Sequence, residues 1–311
     1  MHTSLLKIMA AMSSALAGPA RFKLVLFDLD GTLLNAEHRL SAPTLRKLRE
    51  LDSLGVPLAF ATGRSGPAVY EHVAALGLAA GALPCVCYNG GACFEFPQPC
   101  ADAADARDRK TVLFSSPVPV ADAARVVAYA EAAGLLVQYY VGDEIYVAPR
   151  TDADLGLVRR YRELTGATHA HVEAYPLHLE PAKLLLMTDD PDAVLAAVRA
   201  AQASGGLPPA LTAIRGSPPF FVELLRGDVC KGSGFARLCA LRGIAPTEAV
   251  AFGDGENDVE FLSYAGLSYA MKNARDAAKA AADRITTKTN GEDGVALALA
   301  ELQAEGLLPS P

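Results

Sequence analysis

Two aspartates, Asp28 and Asp30, follow a short apolar segment and precede a glycine. Residues two apart in an extended chain point to the same side, so the two carboxylates are expected to face one place. Such a pair either binds a cation or keeps one carboxyl protonated. The residue types and their spacing therefore indicate metal-assisted or acid–base chemistry. A strand that ends in a simple Asp-Gly turn would carry the same residues.

The segment before this pair, residues 22–27, is mostly apolar, with a phenylalanine at each end. This composition predicts a strand buried on both faces of a parallel sheet. In open α/β sheets, ligands bind outside the carboxyl ends of the strands. Asp28 and Asp30 are thus expected at the edge of the sheet where chemistry takes place.

Helices and strands then alternate along the chain. Helices are predicted to begin at Ser41 and Ser65, and further strands are predicted over residues 56–61 and 84–88. The order strand, helix, strand, helix, strand predicts a parallel sheet with right-handed crossovers. Polar residues suited to holding an oxyanion follow the second and third strands. They are Thr62, Gly63, Arg64 and Asn89.

The pattern changes after residue 91, where short strands take on a hairpin style with Gly142-Asp143 as a strong turn signal. The parallel pattern resumes at Asp228. We therefore predict an α/β fold, in which a doubly wound, Rossmann-like core with a parallel sheet is interrupted by an inserted α+β domain. The predicted divisions are an N-terminal extension at 1–20, a core at 21–92 and 228–311, and the insert at 93–227.

Two further polar clusters occur in the last third of the chain. Lys231 opens a predicted helix, and Asp254 and Asp258 follow a short apolar strand at residues 249–252. Because these residues follow elements of the same predicted sheet, we expect them to converge with the aspartate pair. Asp28, Asp254 and Asp258 would then offer the hard oxygen ligands that Mg²⁺ prefers.

Transfer of a phosphoryl group to water needs a nucleophile, neutralisation of charge and a proton donor. Asp28 would attack phosphorus and form an aspartyl-phosphate. Asp30, with a pKa raised by its acidic neighbours, would protonate the leaving group and then activate water. Lys231 would neutralise the phosphate and the Asp28 carboxylate, and the Thr62 hydroxyl would bond a phosphoryl oxygen.

Four segments resemble, in order, the four motifs of the haloacid dehalogenase superfamily. They are Asp28-Leu29-Asp30-Gly31-Thr32-Leu33-Leu34, Ala61-Thr62-Gly63-Arg64, Lys231-Gly232 and Gly253-Asp254-Gly255-Glu256-Asn257-Asp258. More narrowly, the chain resembles the Cof-type phosphatases of that superfamily, whose large α+β cap lies between the second and third motifs. Asn89-Gly90 and Ala270-Met271-Lys272-Asn273-Ala274 also match that subgroup. The resemblance covers residues 22–92 and 228–305.

This resemblance implies a role for each matching position. Asp28 would be the nucleophile, Asp30 the general acid and base, and Thr62 and Lys231 the residues that hold the phosphate. Mg²⁺ would be bound by Asp28, Asp254, Asp258 and the Asp30 carbonyl. Gly63, Arg64 and Asn89 would contact substrate. The insert would be the cap, and its sequence carries no motif that identifies the leaving group.

The sequence therefore predicts a Mg²⁺-dependent phosphatase acting on small phosphorylated metabolites, such as sugar phosphates. Two alternatives stay open. A phosphomutase would use the same aspartyl-phosphate but return the phosphoryl group to its substrate. A signalling receiver would accept phosphate on aspartate without rapid turnover.

Composition limits the partners of the protein. The 311-residue chain has a formal net charge of −7 with its lysines and arginines scattered, which argues against binding nucleic acid or an anionic membrane. No apolar run reaches the roughly 18 to 20 residues of a membrane span. A small phosphorylated metabolite is the expected partner, and the sequence gives no indication of the oligomeric state.

The six cysteines include no CxxC pair, so we expect reduced, mostly buried thiols and a cytoplasmic protein. The first twenty residues carry no acidic side chain and include a mildly apolar stretch. Two interpretations of this segment are left open, an organelle-targeting segment and a disordered extension.

Overall fold

The computed structural model describes residues 22–79, 81–216 and 220–311. The extension predicted at residues 1–20 lies outside the described residues. The described strands, in chain order, are β1 (Leu24–Phe27), β2 (Leu58–Ala61), β3 (Ala82–Cys87), β4 (Ala92–Pro97), β5 (Thr111–Ser115), β6 (Leu136–Val141), β7 (Glu144–Val147), β8 (Ala170–His171), β9 (Lys183–Met187), β10 (Leu211–Arg215), β11 (Phe221–Arg226), β12 (Ala249–Gly253), β13 (Leu267–Ala270) and β14 (Arg284–Ile285). The described α-helices are α1 (Ala42–Ser53), α2 (Tyr70–Leu76), α3 (Ala103–Arg109), α4 (Val120–Ala132), α5 (Asp152–Thr165), α6 (Pro191–Ala203), α7 (Lys231–Arg242), α8 (Val259–Tyr264), α9 (Asp276–Ala281) and α10 (Gly294–Ala304).

The first of two sheets has eight strands in the order β14-β13-β12-β1-β2-β3-β4-β5. From β14 to β3 all neighbours are parallel. Because β1 lies between β12 and β2, strands from both core segments, before and after the insert, are neighbours at the centre of this sheet. The predicted doubly wound α/β core is confirmed.

Strand β1 is central because nothing in it favours contact with water. All four of its side chains are buried. Phe27 stacks on Phe252 of β12 with ring centroids 5.3 Å apart, and Phe252 stacks on Tyr269 of β13 at 4.9 Å. Burying a side chain of this size contributes about 1.5–3 kcal/mol. These rings hold three neighbouring strands, and therefore their ends, in fixed register.

The predicted helix starts are reproduced by local hydrogen bonding. The Ser41 hydroxyl accepts a hydrogen bond from the Thr44 amide at 3.2 Å, and Pro43 lies in the first turn of α1. Side-chain oxygens that accept such a bond cap a helix, and proline is tolerated there because its missing amide proton would be unpaired anyway. The second predicted helix begins as the 3₁₀ turn Pro67–Val69 and continues as α2.

Strands β4 and β5 differ from the sequence prediction. Strand β4 is the antiparallel neighbour of β3, and β5 is the antiparallel neighbour of β4, so both extend the first sheet, whereas the sequence predicts that residues 93–227 form the insert. A hairpin-like sequence pattern does not reveal which sheet its strands will join. The predicted boundaries at 93 and 227 stay predictions, and we propose that the chain enters the insert between β5 and α4.

The second sheet has six strands in the order β10-β11-β9-β6-β7-β8, and it forms the unit that we name the cap. Helices α4 and α6 pack on one face, where Val126 and Val198 join Leu184, Leu186 and other apolar side chains. The opposite face is turned toward the core. The hairpin predicted around Gly142-Asp143 is present, because β6 ends just before this pair and β7 begins just after it.

The tip of that hairpin contacts the core directly. Tyr88 donates a hydrogen bond to the Gly142 carbonyl at 3.1 Å, and Tyr70 donates one to Asp143 at 2.6 Å. Lys110 forms an ion pair with the same Asp143 carboxylate at 2.9 Å. The cap is therefore seated on the core in this structure.

All six cysteines are free thiols, and each except the partly buried Cys230 is buried. Burial raises the pKa of Cys93 to about 12 and that of Cys239 to about 12. Such thiols stay protonated and unreactive at neutral pH. Within the described residues, no helix combines the length and the apolar character needed to cross a membrane.

Candidate active site

The carboxyl ends of neighbouring strands bring the predicted residues together. Asp28 follows β1, and Asp254 follows β12, the strand beside it. Asp258 lies four residues further along the same loop. Ligand oxygens of these three carboxylates all lie within 4.8 Å of one another. Asp28 is 4% exposed and Asp258 is 0% exposed, whereas Asp254 is half-buried.

Lys231 is placed between two of these carboxylates. Its Nζ atom lies 2.6 Å from Asp28 Oδ1 and 2.6 Å from Asp258 Oδ1, and the residue is 2% exposed. Burial lowers the pKa of Lys231, but the charges of Asp258 and Asp28 outweigh burial and raise the pKa overall. Lys231 is the first residue of α7, so the start of that helix fixes the position of the charge.

One ammonium group does not balance three carboxylates. The pKa of Asp28 is raised well above its ordinary value by burial and by the charges of Asp258 and Asp254, although Lys231 opposes the rise. Burial and the charge of Asp258 raise the pKa of Asp254 to about 6. A largely buried cluster with excess negative charge is one that a divalent cation would stabilise.

The loop after β12 holds its own carboxylates in place. Asp258 Oδ2 accepts hydrogen bonds from the backbone amides of Asp254 at 2.7 Å and Gly255 at 2.8 Å. The Thr32 hydroxyl donates to Asp254 Oδ1 at 3.3 Å. Gly31 has a φ of +80°, and a side chain at this position would overlap the Asp254 carboxylate. Glycine is therefore required where the chain turns between β1 and this cluster.

These donors fit Mg²⁺, because they are hard carboxylate oxygens close enough to share one ion. Asp28, Asp254 and Asp258 would hold it. The further contribution predicted for the Asp30 carbonyl stays a prediction.

Asp30 does not have the electrostatic surroundings that the sequence suggested. Arg64 binds its carboxylate through two hydrogen bonds, from Nε at 2.6 Å and from Nη2 at 2.6 Å. His38 Nδ1 lies 3.2 Å from the same carboxylate. Burial raises the pKa of Asp30, but these hydrogen bonds and charges outweigh burial and lower it overall. The predicted rise in pKa is wrong for this conformation, because the nearest charges are basic.

The loop after β2 is tied to the loop after β3. Thr62 is 1% exposed, and its hydroxyl accepts a hydrogen bond from the Arg64 amide at 3.1 Å. The backbone amide of Asn89 donates a hydrogen bond to the Thr62 carbonyl at 3.0 Å. Thr62, Gly63 and Arg64 therefore lie beside Asp30 and Asn89, as the parallel-sheet prediction requires.

Both polar atoms of the Asn89 side chain form hydrogen bonds with other side chains. Its Nδ2 donates to Glu223 Oε1 in the cap at 2.9 Å, and its Oδ1 accepts from Asn257 Nδ2 at 2.9 Å. Glu223 in turn pairs with Lys183 at 3.1 Å. The predicted substrate contacts of Arg64 and Asn89 stay predictions.

Sequence reasoning did not single out Lys183, Glu223, Asn257 or His38. A signal was present for two of them. Lys183 begins an otherwise apolar strand, and Glu223 interrupts one, so each is a charge at a position where the pattern predicts burial. Asn257 was inside a recognised segment but had no role, and nothing local pointed to His38.

Comparison with known proteins supports the same kind of chemistry. A family model described as haloacid dehalogenase-like hydrolase matches residues 25–299. The chain is 30% identical over 276 residues to a phosphoglycolate phosphatase of Halorubrum lacusprofundi, over 89% of this chain and 95% of that protein. It is 26% identical over 285 residues to a pyridoxal phosphate phosphatase of Escherichia coli, over 88% and 96% of the two chains. A solved haloacid dehalogenase-like hydrolase from Bacteroides thetaiotaomicron has a TM-score of 0.74 and 26% identity, covering 90% of this chain and 99% of that one.

Proposed function

The chain belongs to the haloacid dehalogenase-like hydrolases, as a phosphatase of the Cof type, and from this premise we propose that it is a Mg²⁺-dependent enzyme that hydrolyses small phosphomonoesters through an aspartyl-phosphate on Asp28. The observation that carries the proposal is the buried cluster in which Lys231 bridges Asp28 and Asp258. Such a cluster supplies a nucleophile, Asp28, and a positive charge, Lys231, at the carboxyl ends of neighbouring strands.

Asp28 is suited to attack because one of its oxygens is already held. Lys231 binds Oδ1 at 2.6 Å, which leaves Oδ2 to form the bond to phosphorus. The bond between phosphorus and the leaving oxygen then breaks, and Asp30 donates a proton to that oxygen. In the second half of the reaction Asp30 accepts a proton from water, the water oxygen attacks phosphorus, and Asp28 is released as a carboxylate.

The phosphoryl oxygens would be held by Thr62, the Gly63 amide and Lys231, with Arg64 and Asn89 nearby. When bound by Asp28, Asp254 and Asp258, Mg²⁺ supplies positive charge beside the transferred phosphoryl group. Arg64 occupies both oxygens of Asp30 in this structure. Proton transfer by Asp30 therefore requires Arg64 to loosen this contact, which substrate binding would favour by offering Arg64 a phosphate or another acceptor.

The substrate class that we propose is a small phosphomonoester, with sugar phosphates as the first candidates. Support for small substrates comes from relatives named for phosphoglycolate and pyridoxal phosphate, which span nearly the whole chain. The cap is seated over the strand ends, so a large leaving group would have to displace it.

Phosphate release is the test of this function. We expect the purified full-length protein to release inorganic phosphate from an aryl phosphate in the presence of Mg²⁺, and EDTA to abolish the release. A panel containing sugar phosphates, phosphoglycolate and pyridoxal phosphate should include faster substrates than the aryl ester. Isomerisation without free phosphate would support a phosphomutase, a stable phosphoprotein without turnover would support a receiver, and release unaffected by EDTA would contradict the Mg²⁺ requirement.

Replacing Asp30 with asparagine should separate the two halves of the reaction. An aryl phosphate has a good leaving group that needs little protonation, so Asp28 should still be phosphorylated in Asp30→Asn. Hydrolysis of the intermediate needs a base and should be slowed by about 10²- to 10⁴-fold. We expect rapid-quench measurements to show a burst of aryl alcohol of about one equivalent per enzyme, followed by slow turnover.

Asp108→Asn is the matched control, because Asp108 is an exposed aspartate that pairs only with a neighbouring arginine among the contacts seen in the described part of the chain. It should keep the wild-type time course. If Asp30→Asn slows the phosphorylation of Asp28 and the hydrolysis of the intermediate equally, and shows no burst at any enzyme concentration, Asp30 has a structural role.

A further inference from the structure

Two buried charges lie on the face of the cap sheet that is turned toward the core. Lys183 on β9 and Glu223 on β11 are each 5% exposed, and Lys183 Nζ lies 3.1 Å from Glu223 Oε2. These strands are neighbours in the sheet, so the pair forms within the cap. Burying two charges is costly even when they are paired, and apolar residues of similar size would stabilise such a sheet at least as well. Stability of the cap alone does not explain the pair.

Each member of the pair also binds a different loop of the core. Lys183 Nζ donates a hydrogen bond to the Gly63 carbonyl at 3.2 Å. Glu223 Oε1 accepts one from Asn89 Nδ2 at 2.9 Å, and Asn89 Oδ1 accepts one from Asn257 Nδ2 at 2.9 Å. The result is a continuous hydrogen-bonded chain from Gly63 through the cap to Asn257, which we name the cap–loop chain.

The two ends of the cap–loop chain lie beside the groups that the reaction needs. Gly63 follows Thr62, and Asn257 lies between Asp254 and Asp258 in the loop after β12. Lys183 Nζ also lies over the ring of Tyr140 in the cap, 5.1 Å from its centroid, and 5.9 Å from that of Tyr88 in the core. Lifting the cap would therefore break the Gly63 and Asn89 bonds together and leave the loops after β2 and β3 without their cap partners, while Asn257 would keep its bond to an Asn89 that the cap no longer holds.

We propose that the cap–loop chain couples the seating of the cap to the position of the loop after β2 directly and, through Asn89, to that of the loop after β12, which makes Lys183 and Glu223 positioning residues. With the cap seated, the chain holds the Thr62 loop and the Asp254–Asp258 loop in one arrangement. With the cap lifted, both loops relax and the site is incomplete. The role in turnover rests on the proposed phosphatase function, whereas the coupling between cap and loops does not.

The test uses the full-length protein and three substitutions. Lys183→Met removes the donor to Gly63 and Glu223, and Glu223→Gln removes the charge but keeps an amide oxygen for Asn89. The double variant leaves no unpaired buried charge, so it should fold even if a single variant does not. Gln138→Leu is the matched control, because Gln138 is 0% exposed on the same sheet face and bonds Tyr140 within the cap.

Hydrogen exchange of backbone amides measures the coupling between the cap and the core loops without any substrate. The backbone amides of Asn89, Asp254 and Gly255 are bonded within the loops concerned. We expect their exchange to be faster by about threefold or more in Lys183→Met and in the double variant, because the loops open more often. Glu223→Gln should show a smaller increase, and Gln138→Leu should match the wild type. Faster exchange confined to β9 and β11, with the core loops unchanged, would overturn the proposal.

Turnover of an aryl phosphate gives the second readout. Displacing catalytic groups slightly lowers kcat more than it raises KM, so we expect Lys183→Met to lose about 10- to 100-fold in kcat with a smaller change in KM. The double variant should lose no more than its worse single variant, because the residues act as one unit. Additive losses would overturn the proposal. If the wild type releases no phosphate, the proposed function fails, and the exchange measurement still decides the coupling.

Discussion

Asp28→Asn should lower the Mg²⁺-dependent release of phosphate from an aryl phosphate by about 10⁴-fold or more. Asparagine keeps the shape of the side chain and can still accept a hydrogen bond from Lys231, but its amide does not form a stable bond to phosphorus. The loss should therefore appear in kcat, while the fold is retained. Steady-state phosphate release, with circular dichroism to check folding, measures both.

The same Asp108→Asn variant is the control for the loss of one aspartate, and its activity should stay within about twofold of the wild type because Asp108 is exposed. Adding Mg²⁺ to high concentration should not rescue Asp28→Asn. Turnover within tenfold of the wild type would show that another group attacks phosphorus.

Lys231→Met should damage both activity and stability. Loss of the ammonium removes the partner of two buried carboxylates and a group that neutralises phosphate. We expect phosphate release to fall by about 10²- to 10³-fold. We also expect the free energy of unfolding to fall by about 3–5 kcal/mol, because Asp28 and Asp258 are left buried without their partner. Unfolding by denaturant in the presence of EDTA measures this change in the free energy of unfolding.

Adding Mg²⁺ shows whether Lys231 stabilises the site through its charge or through the packing of its side chain. Mg²⁺ should raise the unfolding midpoint of Lys231→Met more than that of the wild type, because the uncompensated carboxylates bind the ion more strongly. Lys288→Met is the matched control, since Lys288 forms an exposed pair with Glu292 and should change stability by less than about 1 kcal/mol. If Mg²⁺ raises the unfolding midpoints of Lys231→Met and of the wild type equally, the packing of the Lys231 side chain, and not its charge, stabilises the site.

The parts of the site that could be predicted are those that local sequence determines. Asp28, Thr62 and Asp254 each follow an apolar strand, and parallel strands place their carboxyl ends at one edge. Lys231 begins a helix that the pattern also predicted. Four segments in order then indicated both the family and the convergence of these residues. Their distances were not needed to infer the site.

What could not be predicted depends on contacts between residues distant in the sequence. Arg64 lies 34 positions from Asp30, and their two hydrogen bonds reverse the direction of the expected pKa shift. Glu223 meets Asn89 across 134 positions. The local sequence does not indicate which charged residues will pair. The surroundings of Asp30 and the cap–loop chain are therefore seen only in the folded chain.

The membership of β4 and β5 in the first sheet was missed for a related reason. Antiparallel hairpins have the same alternating pattern in either sheet, and only their partner strand distinguishes the two cases. The consequence for function is local, because these two strands extend the first sheet at its β3 edge, away from β1 and β12.

The claim that Asp28 carries the phosphoryl group can be tested at the residue itself. Borohydride reduces an acyl phosphate to an alcohol and would convert a phosphorylated aspartate to homoserine. We predict that rapid mixing of enzyme, Mg²⁺ and aryl phosphate, followed by borohydride quench and peptide mass spectrometry, yields homoserine at position 28, with none when substrate is omitted. Homoserine at another carboxylate, or full turnover with none at position 28 at any quench time, would contradict the mechanism.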